Sequence, residues 1–135
     1  FYDPVIFDFP AGMDFSLYTG LPEGTLFLTV AVPDPVSVRD AAAVSSRLYE
    51  MSCPSRLVIN NFTYSFVKRN LHRNIDDIID SAGLQLVGVI PHSEELAFLS
   101  VNHRLKRKGK SNAAFLRLAG RLSGEQILLP KLKKI

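Results

Sequence analysis

Four short apolar runs, separated by stretches of helical periodicity, leave this chain few folds to choose from: Val5–Asp8 (VIFD), Thr25–Val32 (TLFLTVAV), Arg56–Phe62 (RLVINNF) and Leu84–Ile90 (LQLVGVI). Runs that are continuously apolar rather than alternating suit strands covered on both faces, the situation of a parallel sheet. The intervals between them carry the other period. Across Val36–Met51, the residues Ala41, Val44, Leu48 and Met51 recur on one helical face, and Ile75, Ile78, Ile79 and Ala82 follow the spacing i, i+3, i+4, i+7. Gly83 suits the left-handed position that closes a helix. Two starts compete for the first helix: Ser37 with Asp40 resembles a capping box, and Asp34 before Pro35 puts proline at the first helical position. Ser93 is read as the cap of a further helix with Glu94 and Glu95 in its first turn, where carboxylates complement the helix dipole. Ser111 is read as the start of a last helix, with Phe115, Leu118, Ala119 and Leu122 on its apolar side, Gly124 after its end, and a tail beyond.

Strands that alternate with helices pair in parallel through right-handed crossovers, which predicts a three-layer α/β/α sandwich around one mostly parallel sheet. The 135 residues suit one domain able to bury its own core. A lone cysteine, Cys53, excludes an intramolecular disulfide and a paired redox motif, so the expected compartment is a reducing cytosol. No apolar run reaches the ~18 to 20 residues of a membrane span. Net charge is +3, but Arg104–Lys110 (RLKRKGK) holds five of the 16 basic residues and Lys131, Lys133 and Lys134 three more. Basicity is thus confined to one loop and the carboxyl end, unlike the basic face of a general nucleic-acid binder. The chain begins at Phe1, almost inside a strand, and is read as a piece of a longer protein.

In open parallel sheets ligands bind outside the carboxyl ends of the strands, where helix amino-termini and short loops converge. Those ends carry Asp8, Pro33-Asp34, Asn60-Asn61 and Pro91-His92. An acid to hold a hydrated Mg²⁺, a side-chain amide and proline-stiffened loops on one edge suit a nucleotide site. His72, His92 and His103 lack metal-ligand spacing and are expected as surface histidines.

Several segments resemble the MinD/ParA family of deviant-Walker P-loop ATPases, and they occur in the family's order. DFPAGMD at 8–14 is similar to the family's Walker B and switch pattern, D-x-P-A-G followed by an acidic residue. SVRDA at 37–41 looks like its S-V-R-D segment, LVINN at 57–61 resembles its L-x-x-N-R strand end, LVGVIP at 86–91 its G-x-I-P strand, and GEQILL at 124–129 its G-E-x-V-P-L ending. The resemblance implies the carboxyl-terminal part of such an ATPase domain over residues 1–129, with a basic tail over 130–135.

Carried over by position, the resemblance implies that Asp8 is the Walker B acid, holding Mg²⁺ through water, and that the backbone N–H of Gly12 senses the γ-phosphate. It implies that Asn60 hydrogen-bonds adenine, that Pro91 and the His92 backbone line the base, and that Ser37, Arg39 and Asp40 face a second subunit or a regulator. ATP and Mg²⁺ are the implied cofactors of the full-length protein. A homodimer formed on ATP binding, a regulatory protein and an acidic membrane surface are its implied partners, nucleic acid being disfavoured. The implied location is cytoplasmic, peripheral at the inner face of the cell membrane. The implied role is placement of the division septum; a ParA-like partition or flagellar-number regulator and a non-catalytic interaction module are the alternatives.

Two departures qualify the resemblance. The family's phosphate loop precedes the Walker B strand and is absent here. Gly109-Lys110-Ser111 is a decoy, because the position that needs the first glycine of a Walker A loop is Arg104. This chain alone is therefore expected not to hydrolyse ATP. Asn61 stands where the family has an arginine.

Overall fold

The computed structural model describes residues 4–10, 14, 16, 20–65, 75–98 and 108–131. Their elements run β1 (Phe27–Ala31), α1 (Pro35–Glu50), β2 (Ser55–Phe62), α2 (Ile75–Ala82), β3 (Leu86–Pro91), α3 (Glu94–Ala97) and α4 (Lys110–Leu122). The strands form one sheet in the order β1-β2-β3, and both pairings are parallel. Side chains alternate across a strand, so Thr29, Ala31, Leu57 and Ile59 share one face and Leu28, Val30 and Val58 the other.

Against the first face pack α1 and α2. Val38 and Ala41 from α1 and Ile75, Ile78 and Ala82 from α2 close over Ala31, Leu57, Ile59, Phe62 and Val89 in one core cluster. Leu57 and Ile59 are fully buried there, each contributing on the order of 2 kcal/mol of transfer free energy. The second face is covered by α4, whose Ala114 and Leu118 meet Val58, Val87 and Ile90. Helices on both faces of a parallel sheet give the three layers that the alternation of periods implies.

Local chemistry chooses between the competing starts of α1. Asp34 is the N-cap: its Oδ1 accepts from the backbone N–H groups of Val36 and Ser37, both at 3.0 Å, and Pro35 takes the first helical position. Ser37 does not cap. Its hydroxyl oxygen accepts from the N–H of Val32 at 3.0 Å and ties the end of β1 to the helix that follows. Gly83 closes α2 at φ +65°, as its position after the apolar stripe predicts.

Three expectations need correction. Residues 5–10 form no strand, and Val5, Ile6 and Phe7 are 61, 87 and 50 % exposed. A strand exists through its ladder, and among the described residues this segment has none. Among the described residues β1 is in turn an edge strand. On its α4-side face Leu28 and Val30 remain 40 and 59 % exposed, because α4 packs over β3, so β1 is covered on one face rather than two.

The third correction concerns α4, which begins at Lys110 with Gly109 at the cap position and buries Ser111 and Ala114. Leu118 faces the core as expected, whereas Phe115 and Leu122 stay about 40 % exposed and Ala119 lies outside. The cause is close approach. A Cβ at Gly88 would stand 2.9 Å from Leu118 Cδ1, so the helix settles onto β3 with its small residues inward. The stretch after α4, read from sequence as a tail, is fastened back over 124–127. Arg121 donates from Nε to the carbonyl of Ile127 at 2.7 Å and from a terminal nitrogen to that of Val87 at 2.8 Å. Burial, with the nearby charge of Arg117, holds this guanidinium below its ordinary pKa. A guanidinium starts so high that the group remains a cation at any physiological pH.

Candidate functional site at the carboxyl rim of the sheet

Parallel strands bring the ends of β1, β2 and β3 to one edge, and three of the four strand-end clusters read from sequence meet there. Pro33 is fully buried and leads into Asp34, which is engaged in capping α1. Asn60 is exposed at the end of β2. Pro91 is buried as the last residue of β3, opposite Phe62, and His92 follows it exposed. The backbone N–H of His92 donates to the carbonyl of Phe62 at 2.8 Å, which fixes the two strand ends to each other.

The end of β2 departs from the alternation of a regular strand. The β2–β3 register shifts between Ile59 and Phe62, and Asn61 sits at φ +56°. Such a bulge adds a residue to one strand and re-aims side chains. Ile59 and Phe62 both point into the core as a result, while Asn60 and Asn61 both face solvent. Asparagine tolerates this left-handed backbone better than other residues with a Cβ. The bulge sets the Asn61 carboxamide against the imidazole of His92, with Asn61 Oδ1 and His92 Nδ1 2.7 Å apart. Sequence reasoning took His92 for its backbone alone and missed this pair; the paired asparagines at a strand end are the signal of the bulge that makes it.

The remaining site candidates are dispersed. Asp8 lies in the exposed segment before the sheet, and among the described residues no hydrogen bond joins it to the rim. Gly12, His72, His103 and the first four residues of the basic run Arg104–Lys110 lie outside the described residues. Asp14 accepts from the hydroxyl and from the backbone N–H of Ser16, the hydroxyl bond being the larger cause, and its carboxyl is held below the usual carboxylate range. Arg39 and Asp40 form an ion pair of 3.0 Å on the outer face of α1. With side chains 75 and 63 % exposed it contributes little to stability and leaves both groups at the surface.

No group of three or more metal-ligating side chains occurs among the described residues. An open groove of about 390 Å³ lies at the other end of the sheet, between the carboxyl-terminal halves of α1 and α2, and is lined by Ser45, Ser46, Tyr49 and Gly83. No helix among the described residues is long and apolar enough to cross a membrane.

A parallel sheet with helices on both faces and its polar strand ends gathered on one rim is an open α/β/α unit, the class to which the P-loop NTPase fold belongs. Within that class the similarity is to MinD. The chain is 27 % identical over 139 residues to the septum site-determining protein MinD of Bacillus subtilis, covering 98 % of this chain and 52 % of that protein. It is also 27 % identical to MinD of Thermotoga maritima, covering 95 and 49 %. Among solved structures, the MinC:MinD cell division protein complex of Aquifex aeolicus superposes with a TM-score of 0.71 at 29 % identity, over 77 % of this chain and 45 % of that one. MinD of the same organism gives 0.72 at 28 % identity, over 78 and 46 %. No family model matches. The chain spans about half the length of the curated relatives it matches, and its resemblance to the MinD/ParA family extends along nearly all of its length.

Proposed function

We propose that this chain is part of a MinD-like ATPase that places the division septum by ATP-dependent dimerisation and membrane attachment. Residues 1–129 belong to its ATPase domain and 130–135 to a basic tail. The observation that carries the proposal is similarity to MinD proteins along 98 % of the chain, on a sheet whose carboxyl rim exposes Asn60 and His92 on neighbouring strands. In this reading Asp8 holds Mg²⁺ through water, Gly12 lies beside the γ-phosphate, and Asn60, Pro91 and the His92 backbone hold adenine. Bound Mg²⁺ neutralises charge on the phosphates. Ser37, Arg39 and Asp40 stand toward a second subunit or a regulator. The exposed Arg39–Asp40 pair on the outer face of α1 supports that assignment, whereas Ser37 acts through the hydroxyl that fastens β1 to α1. A MinC:MinD complex among the similar structures supports a regulatory protein as partner. The protein works in the cytoplasm, at the inner face of the cell membrane.

This sequence carries no phosphate-binding loop motif, so hydrolysis is assigned to the full-length protein. Mg-ATP is expected to leave the melting temperature of the 135-residue chain unchanged, while the full-length protein hydrolyses ATP and sediments with acidic liposomes, not with DNA. A ligand at a hundred times its Kd stabilises by about 2.7 kcal/mol, an effect plain in a melting curve. A clear ATP-dependent shift in the isolated chain, or DNA-dependent sedimentation of the full-length protein, contradicts the reading.

A further inference from the structure

We infer that the outward face of α4, together with the strap that follows it, is the surface that lies on an acidic membrane. The inference rests on the membrane attachment proposed above and names the residues that make it.

A surface helix ordinarily turns a polar side outward, and α4 does not. Ser111, Ala114 and Leu118 face the sheet, and each residue turns the helix by about 100°, so Leu116 stands at the middle of the opposite side. It is 64 % exposed. Phe115, Ala119 and Leu122 extend the apolar surface along one flank, and all three are exposed. Gly120 extends it on the other, because without a Cβ there Ile127 of the strap lies directly against the helix. Leu128 and Leu129 follow at 89 and 40 % exposure, on a strap that Arg121 holds through the Ile127 carbonyl. Exposed leucines and a phenylalanine on two adjoining segments form a patch rather than scattered single residues.

The charges around this patch identify its partner. Residues 108–131 carry Lys108, Lys110, Arg117, Arg121 and Lys131 against the single carboxylate of Glu125. Lys110 and Arg117, seven residues apart, share one flank of the helix, and Lys131 ends the strap. Apolar side chains in the middle with cations at the margin suit a helix lying in the headgroup region of a bilayer, its leucines at the acyl boundary and its cations on anionic headgroups. Neither part suffices alone. The attraction of a few cations fades within a Debye length, and a small apolar surface binds only weakly. A second copy would set two surfaces of the same sign against each other. Nucleic acid would bring phosphates onto leucine and phenylalanine at the middle of the face.

The test uses the full-length protein with Mg-ATP and phosphatidylcholine vesicles made with and without phosphatidylserine. Wild type is compared in co-sedimentation with a variant carrying both Leu116→Gln and Leu128→Gln. Both residues are exposed, so neither change should disturb folding, and ATP turnover without vesicles checks this. Wild type is expected to bind the vesicles that contain phosphatidylserine, and the variant to bind them about tenfold more weakly at unchanged turnover. Wild-type affinity in the variant overturns this inference and leaves membrane attachment standing. A wild-type protein that binds neither vesicle overturns the attachment and the inference with it. A dimer in solution that the variant dissolves, with vesicle binding unchanged, assigns the face to a second copy and overturns the inference.

Discussion

Asp8→Ala is expected to lower ATP turnover by the full-length protein at least tenfold. Mg²⁺ demands near-octahedral geometry and keeps most of its water, so a protein grips it through one or two carboxylates and the phosphates themselves. Asp8 is the one carboxylate proposed for this role, and its removal would disturb the shell of a bound Mg²⁺ and the charge neutralisation that the ion would supply. The loss should lie in rate and not in folding. Asp8 is exposed and belongs to no ladder among the described residues, and surface substitutions of that kind stay within about 0.5 kcal/mol. Steady-state hydrolysis together with a urea melt separates the two effects. Undiminished turnover, or a variant that unfolds, contradicts the assignment.

The largest stability effect is expected at Phe62. It is 2 % exposed, closes β2, and packs with Ile59, Ile75 and Val89 in the core beneath the rim. Phe62→Ala deletes a buried ring from a site walled by sheet and helices, where neighbours collapse only in part, and should cost about 3–5 kcal/mol. That is a large share of the ~5–15 kcal/mol of a typical domain. The change should also loosen the bulge, because the buried ring anchors the end of β2 beyond Asn61. A fall in the urea midpoint at unchanged slope measures the cost. A loss below about 1 kcal/mol would mean that Phe62 does not hold the end of β2.

Much of the sheet is legible in the sequence because three of its strands and the helices between them are strongly periodic. The apolar runs at Arg56–Phe62 and Leu84–Ile90 and the isoleucine stripe of α2 lie where the pattern puts them, within a residue or two. What the pattern does not carry is partnership. Val5–Asp8 has the composition of a buried strand, yet a strand is a property of two segments, and no ladder forms on this one among the described residues. Similarly, period 3.6 identifies α4 but not its inward face. Gly88 on another element helps to set that, by leaving room for Leu118 to seat against β3.

The candidate site divides along the same line. Strand-end chemistry reveals Asn60, Pro91 and His92 as neighbours once the strands are parallel. The Asn61–His92 hydrogen bond stays hidden because a period of two sends Ile59 and Asn61 to the same face, and only the bulge breaks that parity. Ser37 shows the limit of a local motif. It fits a capping box by spacing, but Asp34 one turn earlier with Pro35 behind it captures the helix start and leaves the serine hydroxyl to bind Val32.

A structure of the full-length protein with Mg-ATP tests the central claim, that the segment bearing Asp8 and the rim formed by β2 and β3 flank one nucleotide. The account predicts the Asp8 carboxylate within one water of Mg²⁺ and the Asn60 amide on the adenine ring. Asp8 and Asn60 at opposite ends of the sheet, or a nucleotide seated away from this rim, would contradict it.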